Sequence, residues 1–454
     1  MRNAIVALRH PGSIFYGWRM LGLICIMQAL NNGFFSKGAA LFLVPVETSL
    51  GLNRATSALI FSLARSEGAL SGPFTGYLVD RFGAQKFLII GTVLTGVGFL
   101  IFASSHSLWT FTMAYLVFIS LGATVAFQQA NSATVNQWFS RFRVRAISVT
   151  EASGNFGSTL LVPIIGVIIV LHSWHMAAVL AGITYLGIIL PMAFFIKESP
   201  ESVGLLPDDA TPQQVAEARK AAGESRSSQA RRLLSYYDKV DFTVKEALHT
   251  SGYWCLLLGT MFRQIAKSAI QVHFVAILIW KGLDPTLAGL VYAFSLGMNV
   301  PAKLFFGFVG DRLPKQAVLG GGMMMYVVSL AILWKGESLW VLMMSSVIGG
   351  LSEGITPVNW GAIGDYYGRK YYATLRGIIN LSNSWSLVLV PFAAGWWFDH
   401  HGNYIMTLLV SIVASLISAV LYVLMRQPKP PVRKPATSPI GPTFTRPAPG
   451  ASTT

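Results

Sequence analysis

The chain has 454 residues, of which 53% are hydrophobic and only 12% are charged, and its mean hydropathy is +0.55. A soluble globular protein carries about 25% charged residues. This composition excludes a cytosolic enzyme and a disordered regulator. The net charge of +15 would favour nucleic-acid binding only if the basic residues formed a patch on a soluble domain.

Long apolar segments occupy most of the chain. A membrane-spanning helix needs about 20 predominantly apolar residues. The first segment is too long for the apolar core of a signal peptide, and no small-residue cleavage site follows it, so we expect it to be retained. Twelve segments predict an all-α membrane protein with twelve transmembrane helices, at 16–46, 55–79, 87–105, 108–131, 144–171, 174–196, 251–280, 286–309, 316–334, 339–362, 373–397 and 403–425.

Basic residues are distributed asymmetrically around these segments. With both termini on one side, that side collects 26 Lys and Arg residues, whereas the opposite side has three. Such a bias is typical of cytoplasmic loops. We therefore expect a multi-pass protein of the cell (inner) membrane with both termini cytoplasmic. Its surroundings are the lipid bilayer, and no nucleic-acid partner is expected because the basic residues are spread over many short loops.

Two motifs recur at the same offset of 231 residues. The segment GYLVDRFG at 76–83 recurs as GFVGDRLP at 307–314, and RAI at 145–147 recurs as RGI at 376–378. A common offset predicts a duplication, with two six-helix parallel repeats related by an axis along the membrane normal. The predicted organisation is a cytoplasmic N-terminus at 1–15, helix bundles at 16–196 and 251–425, a cytoplasmic linker at 197–250 that opens a short helix with a capping box at 243–246, and a disordered cytoplasmic tail at 426–454.

The repeated loop motif carries candidate gate residues. An aspartate at Asp80 or Asp311 can face the positive end of a helix or a neighbouring Arg, which makes a contact that can break. Gly68, Gly72 and Gly76 precede the first copy at four-residue spacing, which permits close helix approach. We predict a cytoplasmic gate formed by Asp80, Arg81, Arg145, Asp311, Arg312 and Arg376.

Together these features resemble the major facilitator superfamily, over about residues 15–425. A further signature is similar to span five of monocarboxylate transporters, with matching spacings at Phe139, Arg143, Ala146, Ala152 and Gly157. The segments YGW at 16–18 and FSK at 35–37 resemble the opening of that family, which carries a lysine at the place of Lys37. Oxalate/formate antiporters are near relatives, and the segment ESPESVGLLPD at 198–208 resembles bacterial members of this branch. The resemblance implies alternating-access transport of a carboxylate.

The sequence also departs from that family. Its span eight typically carries Asp-x-x-x-Arg, which helps to bind the carboxylate and to relay a proton, whereas here the residues are Asn299 and Lys303. The cation is retained, and the titratable acid is lost. Drug–proton antiporters carry an Arg four residues before a glycine of span four, and Phe118 occupies that place before Gly122, which disfavours drug efflux.

Charged residues inside the predicted spans indicate the substrate. Burying one costs at least about 2.5 kcal/mol at the bilayer centre, so it normally faces a cavity or a partner. The basic ones are Lys37, Arg65, Arg263, Lys267 and Lys303, against the acidic Glu67, Glu151 and Glu353. This excess of cations suits an anion bound at the interface of the repeats, although any one cation could instead form an internal ion pair. The predicted substrate-binding residues are Lys37, Arg263, Lys267, Lys303, Asn299, Gln128 and Asn31.

Glu353 and Glu67 are the predicted proton carriers. The proton affinity of a buried carboxylate rises on desolvation and falls beside a cation, so an arriving substrate can change it. Each could instead be a structural partner, for example Glu67 for Arg65. No nucleotide-binding, hydrolase or metal-ligand motif is present, so we expect neither an enzyme nor a cofactor or metal.

We therefore expect a secondary transporter of a small organic anion, above all a monocarboxylate, with protons as the coupling ion and a monomer as the working unit. A carboxylate exchanger is the first alternative, because span eight lacks its acid. A non-transporting membrane sensor or scaffold is the alternative from another class.

Overall fold

The computed structural model describes residues 15–51, 70–210 and 240–431, with isolated positions within 56–68 and 213–217. The predicted N-terminal segment up to residue 14, Arg65, residues 218–239 of the linker and residues 432–454 of the tail lie outside the described residues. The described residues form the helices α1 (Tyr16–Asn31), α2 (Ala39–Leu50), α3 (Gly72–Phe82), α4 (Ala84–Ala103), α5 (Leu108–Trp138), α6 (Arg143–Leu171), α7 (Trp174–Phe195), α8 (Val244–Leu248), α9 (Ser251–Trp280), α10 (Pro285–Arg312), α11 (Lys315–Lys335), α12 (Leu339–Tyr367), α13 (Tyr372–His401) and α14 (Ile405–Leu424).

Within the described residues, ten helices are long and apolar enough to cross a membrane, and they match ten of the predicted spans. The predicted span 16–46 is instead divided into α1 and α2 by the π-helical segment Asn32–Ser36 and a turn. Asparagine and glycine are weak helix formers and are concentrated at this break. The predicted span 55–79 is described only in part, and it ends in α3.

Side chains at the loop ends explain where several helices begin. Asp284 accepts a 2.8 Å hydrogen bond from the backbone N–H of Thr286 at the start of α10. The capping box predicted before α9 is confirmed, because Thr243 and Glu246 bond reciprocally to each other's backbone N–H groups in α8. Each side-chain cap satisfies a backbone donor that the first turn of a helix leaves unpaired.

Several helix pairs join the predicted bundles, which we call the N-half (residues 16–196) and the C-half (residues 251–425). Helix α6 packs on α10, and α3 packs on α13. At the second crossing a Cβ atom on Gly377 would lie 2.3 Å from the backbone oxygen of Gly72, and a Cβ on Gly76 would lie 2.4 Å from that of Ala373. The backbones approach this closely only because glycine has no side chain.

We predict that Gly377→Ala destabilises the protein by about 1–3 kcal/mol, because the added methyl group overpacks the α3–α13 crossing. The matched control is Gly289→Ala in α10, where a Cβ atom would meet nothing within 4 Å. Thermal unfolding of the detergent-purified variants measures the difference. Equal melting temperatures for the two variants would contradict this packing.

Candidate functional site

A cavity of about 210 Å³ lies between α5 of the N-half and helices α9, α12 and α13 of the C-half. Polar side chains dominate its wall, with Trp360 and Leu387 as apolar members. A pocket with a few convergent polar groups is the usual form of a small-molecule site. It is lined by Gln128, Thr260, Arg263, Gln264, Lys267, Thr356, Trp360, Asn380, Asn383 and Leu387.

The cations of α9 meet a carboxylate at this cavity. Arg263 and Lys267 are four residues apart and therefore share one face of the helix. Glu353 opposes them from a 3-10 turn, Glu353–Ile355, within α12. The Nζ atom of Lys267 donates a hydrogen bond to Oε2 of Glu353, and Nη2 of Arg263 lies 3.7 Å from the same oxygen. Arg263 also donates to the hydroxyl of Thr356. One carboxylate thus faces two cations.

A second ion pair lies close to the first and, unlike it, connects the two halves. Nζ of Lys303 on α10 lies 3.1 Å from Oε2 of Glu151 on α6, and the two side chains are 12% and 21% exposed. Lys303 also lies within electrostatic range of Glu353. We name Arg263, Lys267, Lys303, Glu353 and Glu151 the charge cluster, in which three cations face two carboxylates.

Other predicted substrate-binding residues lie elsewhere. Asn31 is buried in the N-half and accepts a 2.8 Å hydrogen bond from the hydroxyl of Tyr185. The amide of Asn299 donates to the carbonyl oxygen of Ser295, one turn back on its own helix, at 3.0 Å. Lys37 is exposed at the turn that follows the π segment, and it is not among the cavity-lining residues. The predicted residues that do line the cavity are Gln128, Arg263 and Lys267.

The two predicted proton carriers have different surroundings. Glu353 belongs to the charge cluster. Glu67 lies within the N-half, where its Oε2 atom accepts a 2.8 Å hydrogen bond from the hydroxyl of Ser120. That hydroxyl also donates to the carbonyl oxygen of Ala64. Glu353 lies beside Arg263 and Lys267, which line the cavity, whereas the described partners of Glu67 belong to the N-half.

Asp80 joins α3 to the beginning of α13. Its carboxylate accepts hydrogen bonds from the backbone N–H groups of Ala373 at 3.1 Å and of Thr374 at 2.7 Å, and from the Thr374 hydroxyl at 2.6 Å. An anion is favourable here because the first N–H groups of a helix are unpaired and its dipole is positive.

Asp311 makes the equivalent contact in the other direction, from the C-half to the beginning of α6. It accepts from the backbone N–H groups of Val144 at 3.0 Å and Arg145 at 3.3 Å, and Nε of Arg145 lies 3.3 Å from Oδ2. The duplicated motif therefore places one carboxylate of each half on a helix start of the other. We name the end of the bundle that carries these two contacts the latch face.

The remaining predicted gate residues pack on aromatic rings. Arg81 donates a 2.6 Å hydrogen bond to the hydroxyl of Tyr77, and Arg312 lies 3.7 Å from the ring centre of Phe308. Arg376 lies 4.6 Å from the ring centre of Trp360. Trp360 lines the cavity, so Arg376 is placed at the boundary between the cavity and the latch face.

An ion triad at the latch face was not predicted from the sequence. Asp365 on α12 binds Nη1 of Arg143 at 2.6 Å and Nζ of Lys315 at 2.9 Å, and all three side chains are at most 10% exposed. Arg143 belongs to the N-half and Lys315 to the C-half. A signal was available, because GAIGDYYGR at 361–369 has the glycine and aspartate spacing of the two loop motifs.

The segment after α7 docks on the N-half through Asp208. Its carboxylate accepts from the backbone N–H groups of Ser140 at 2.9 Å, Arg141 at 2.6 Å and Phe142 at 3.3 Å. Asp208 has a φ of 57°, a left-handed conformation that aspartate tolerates better than most residues. Burial raises the pKa of Asp208 above its ordinary value, although the three N–H groups act in the opposite direction.

The same segment and its continuation also contact the C-half. Asp241 accepts from the backbone N–H groups of Arg369 at 2.6 Å and Lys370 at 3.2 Å. The guanidinium of Arg369 binds Glu201 at 2.7 Å and the carbonyl oxygen of Gln137 in the N-half at 2.8 Å. Both ends of the linker thus cap the loops that precede α6 and α13.

Comparison with known proteins identifies the family. The model of the Major Facilitator Superfamily matches residues 24–262 and again 253–449. The chain belongs to the major facilitator superfamily. This membership confirms the resemblance seen in the sequence, the predicted fold of two six-helix repeats and the expectation that the protein is a membrane transporter rather than an enzyme.

Relatives within the superfamily are distant. A probable sulfoacetate transporter of Cupriavidus necator is 24% identical over 86% of this chain and 90% of its own length. Human monocarboxylate transporter 11 is 24% identical over 90% of this chain and 82% of its own length. The membrane sensor protein UhpC of Salmonella typhimurium is 24% identical over 73% of this chain and 72% of its own length. Among solved structures, the superfamily transporter FucP in the outward conformation aligns with a TM-score of 0.64 at 14% identity, over 90% of this chain and 99% of its own. That likeness shows the fold.

We predict that Asp208→Ala increases amide hydrogen exchange at residues 140–142 by about tenfold or more, because hydrogen bonds to a charged group contribute about 1.5–3 kcal/mol. Ser202→Ala, an exposed position in the same segment, is the control. Exchange is followed by mass spectrometry of the purified protein. Unchanged exchange at these amides in the Asp208 variant would contradict the docking.

Proposed function

We propose that this protein is a secondary transporter that carries a small organic monoanion, above all a monocarboxylate, together with a proton. The observation that carries the proposal is the charge cluster, in which, among the residues that the structure describes, Arg263, Lys267 and Lys303 face Glu353 and Glu151. One positive charge is left without an equivalent carboxylate. This excess positive charge attracts an anionic substrate.

The cost of charge in the membrane supports this reading. Each buried cation costs several kcal/mol unless it has a partner or faces water, so an excess of cations is retained only where it has a use. Arg263 offers a planar guanidinium, which binds carboxylates through paired hydrogen bonds, and Lys267 offers a compact point charge. Gln128 and Asn380 on the opposing walls can orient the rest of a small substrate.

We propose alternating access between the N-half and the C-half. The latch face closes the cavity on one side through Asp80, Asp311 and Arg143, which each bind the opposite half. Contacts to helix starts are individually modest, so those of Asp80 and Asp311 can break when the halves rock. The buried pair of Arg143 with Asp365 must break in the same motion. The excess of basic residues in the loops of this face supports a cytoplasmic orientation for it, with the protein in the inner membrane of the cell.

The named relatives support an anionic substrate. One is described as a probable sulfoacetate transporter and another as a monocarboxylate transporter. Sulfoacetate and monocarboxylates share a carboxylate on a short carbon skeleton, which suits a cavity of about 210 Å³. Sulfoacetate also carries a sulfonate, so it tests whether a second negative charge is accepted. Acetate, pyruvate, lactate and sulfoacetate therefore form the first panel of substrates, with a neutral sugar as the negative control.

We predict that Lys267→Gln lowers uptake of the preferred anion into proteoliposomes by at least about tenfold, because losing a buried charge partner costs roughly 2–5 kcal/mol of binding. Lys335→Gln removes a cation that lies on the ring of Trp334 at the far end of α11, and should transport normally. Radiolabelled uptake under an inward proton gradient measures both variants. Equal uptake by both would refute a role for the charge cluster in binding.

Transport assays of the wild-type protein in the same vesicles distinguish the remaining candidate functions. Accumulation in empty vesicles under a proton gradient supports symport. A strict requirement for internal anion would establish an exchanger instead. Saturable binding with no flux in either assay would establish a sensor, the function named for the Salmonella relative.

A further inference from the structure

Glu151 is the carboxylate of the charge cluster that sequence reasoning left without a role. It lies on α6, and its partner Lys303 lies on α10, four residues after Asn299. The acid expected on α10 is replaced by Asn299, whose amide binds its own helix. The structure therefore supplies a carboxylate to this cation from the opposite half of the molecule.

The two carboxylates of the charge cluster differ in how many cations hold them. Glu353 faces both Lys267 and Arg263, so neutralising it would leave two cations unopposed within the membrane. Glu151 has one cation partner at 3.1 Å. Neutralising it releases a single positive charge, which one monoanion balances. This makes Glu151 the less costly site for a proton.

The surroundings of Glu151 contain few other ionisable groups. Tyr372 on α13 lies within electrostatic range of Glu151 and of Arg376. Cys25 on α1 contacts Thr150 and Ser153, the neighbours of Glu151 along α6.

On α12, Asp365 is bound to Lys315 and to Arg143, which precedes Glu151 by two helical turns along α6. Lys303 is the cation in direct contact with Glu151, so the charge of the Glu151 carboxylate depends on this ion pair.

The pair also crosses the interface that must move. In the proposed rocking of the N-half against the C-half, the motion that opens the cavity would change the α6–α10 distance and separate Glu151 from Lys303. A carboxylate that loses its cation in a partly buried site binds a proton more tightly. Proton binding and conformational change are linked through one contact.

We propose that Glu151 is the proton-exchanging group and Lys303 its alternating partner. This inference rests on the proposed symport. A proton taken from solution neutralises the Glu151 carboxylate, and the Lys303 ammonium then pairs with the substrate carboxylate. One proton and one monoanion enter together, so the charge of the cluster is unchanged. Release of the anion returns Lys303 to Glu151 and expels the proton.

The test uses full-length protein in proteoliposomes and two assays, with the best substrate of the acetate, pyruvate, lactate and sulfoacetate panel. The first assay measures accumulation in empty vesicles under an inward proton gradient. The second measures exchange of internal for external anion at equal pH. Glu151→Gln should lower accumulation by about tenfold or more, keep exchange within about threefold of wild type and flatten the pH profile of exchange. Glu337→Gln, at an exposed acidic residue, is the control.

The other variants separate coupling from structure. Glu151→Asp keeps a titratable group and should retain gradient-driven accumulation, whereas Glu353→Gln should weaken both assays because it disturbs the cations of the binding site. Gradient-driven accumulation by Glu151→Gln equal to wild type would overturn the role of Glu151 alone. Loss of exchange as well as accumulation in Glu151→Gln, with Glu151→Asp equally inactive, would assign Glu151 a structural role. A wild-type protein that never accumulates substrate would overturn the symport and this inference together.

Discussion

A charged side chain within a bilayer needs a partner, and this constraint organises the molecule. The cations of α9 and α10 are held by Glu353 and Glu151, and the carboxylates at the latch face lie on helix starts or arginines. The cations of the charge cluster outnumber its carboxylates. The place where partnering is incomplete is also the place where a cavity lies, and this coincidence is the basis of the proposed anion binding.

The same constraint explains how the two halves can be held together and still move. Asp80 and Asp311 each bind backbone N–H groups that a helix start leaves unpaired, so neither contact requires a permanently buried ion pair. The linker makes the same kind of contact, because the carboxylates of Asp208 and Asp241 accept from backbone N–H groups of the loops before α6 and α13. Four carboxylates thus converge on the starts of α6 and α13.

Much of the fold could be predicted from the sequence, because apolar length and loop charge determine which segments cross a membrane, and the repeat offset relates the halves. The break at 32–38 was missed, since hydropathy is insensitive to the polar and glycine residues that interrupt α1 and α2. In the site, helical spacing brought Arg263 and Lys267 together correctly. The pairing of Glu151 with Lys303, and of Arg143 with Asp365, joins residues distant in the chain, which no local pattern indicates.

The central claim is that the charge cluster holds a net positive charge for one organic anion. Isothermal titration calorimetry of the detergent-purified protein tests it directly, with acetate, pyruvate, succinate and a neutral sugar as titrants. We expect saturable one-site binding of a monoanion, weaker binding of the dianion succinate and no binding of the sugar. Equal binding of the sugar, or no heat with any anion over the solubility range, would contradict it.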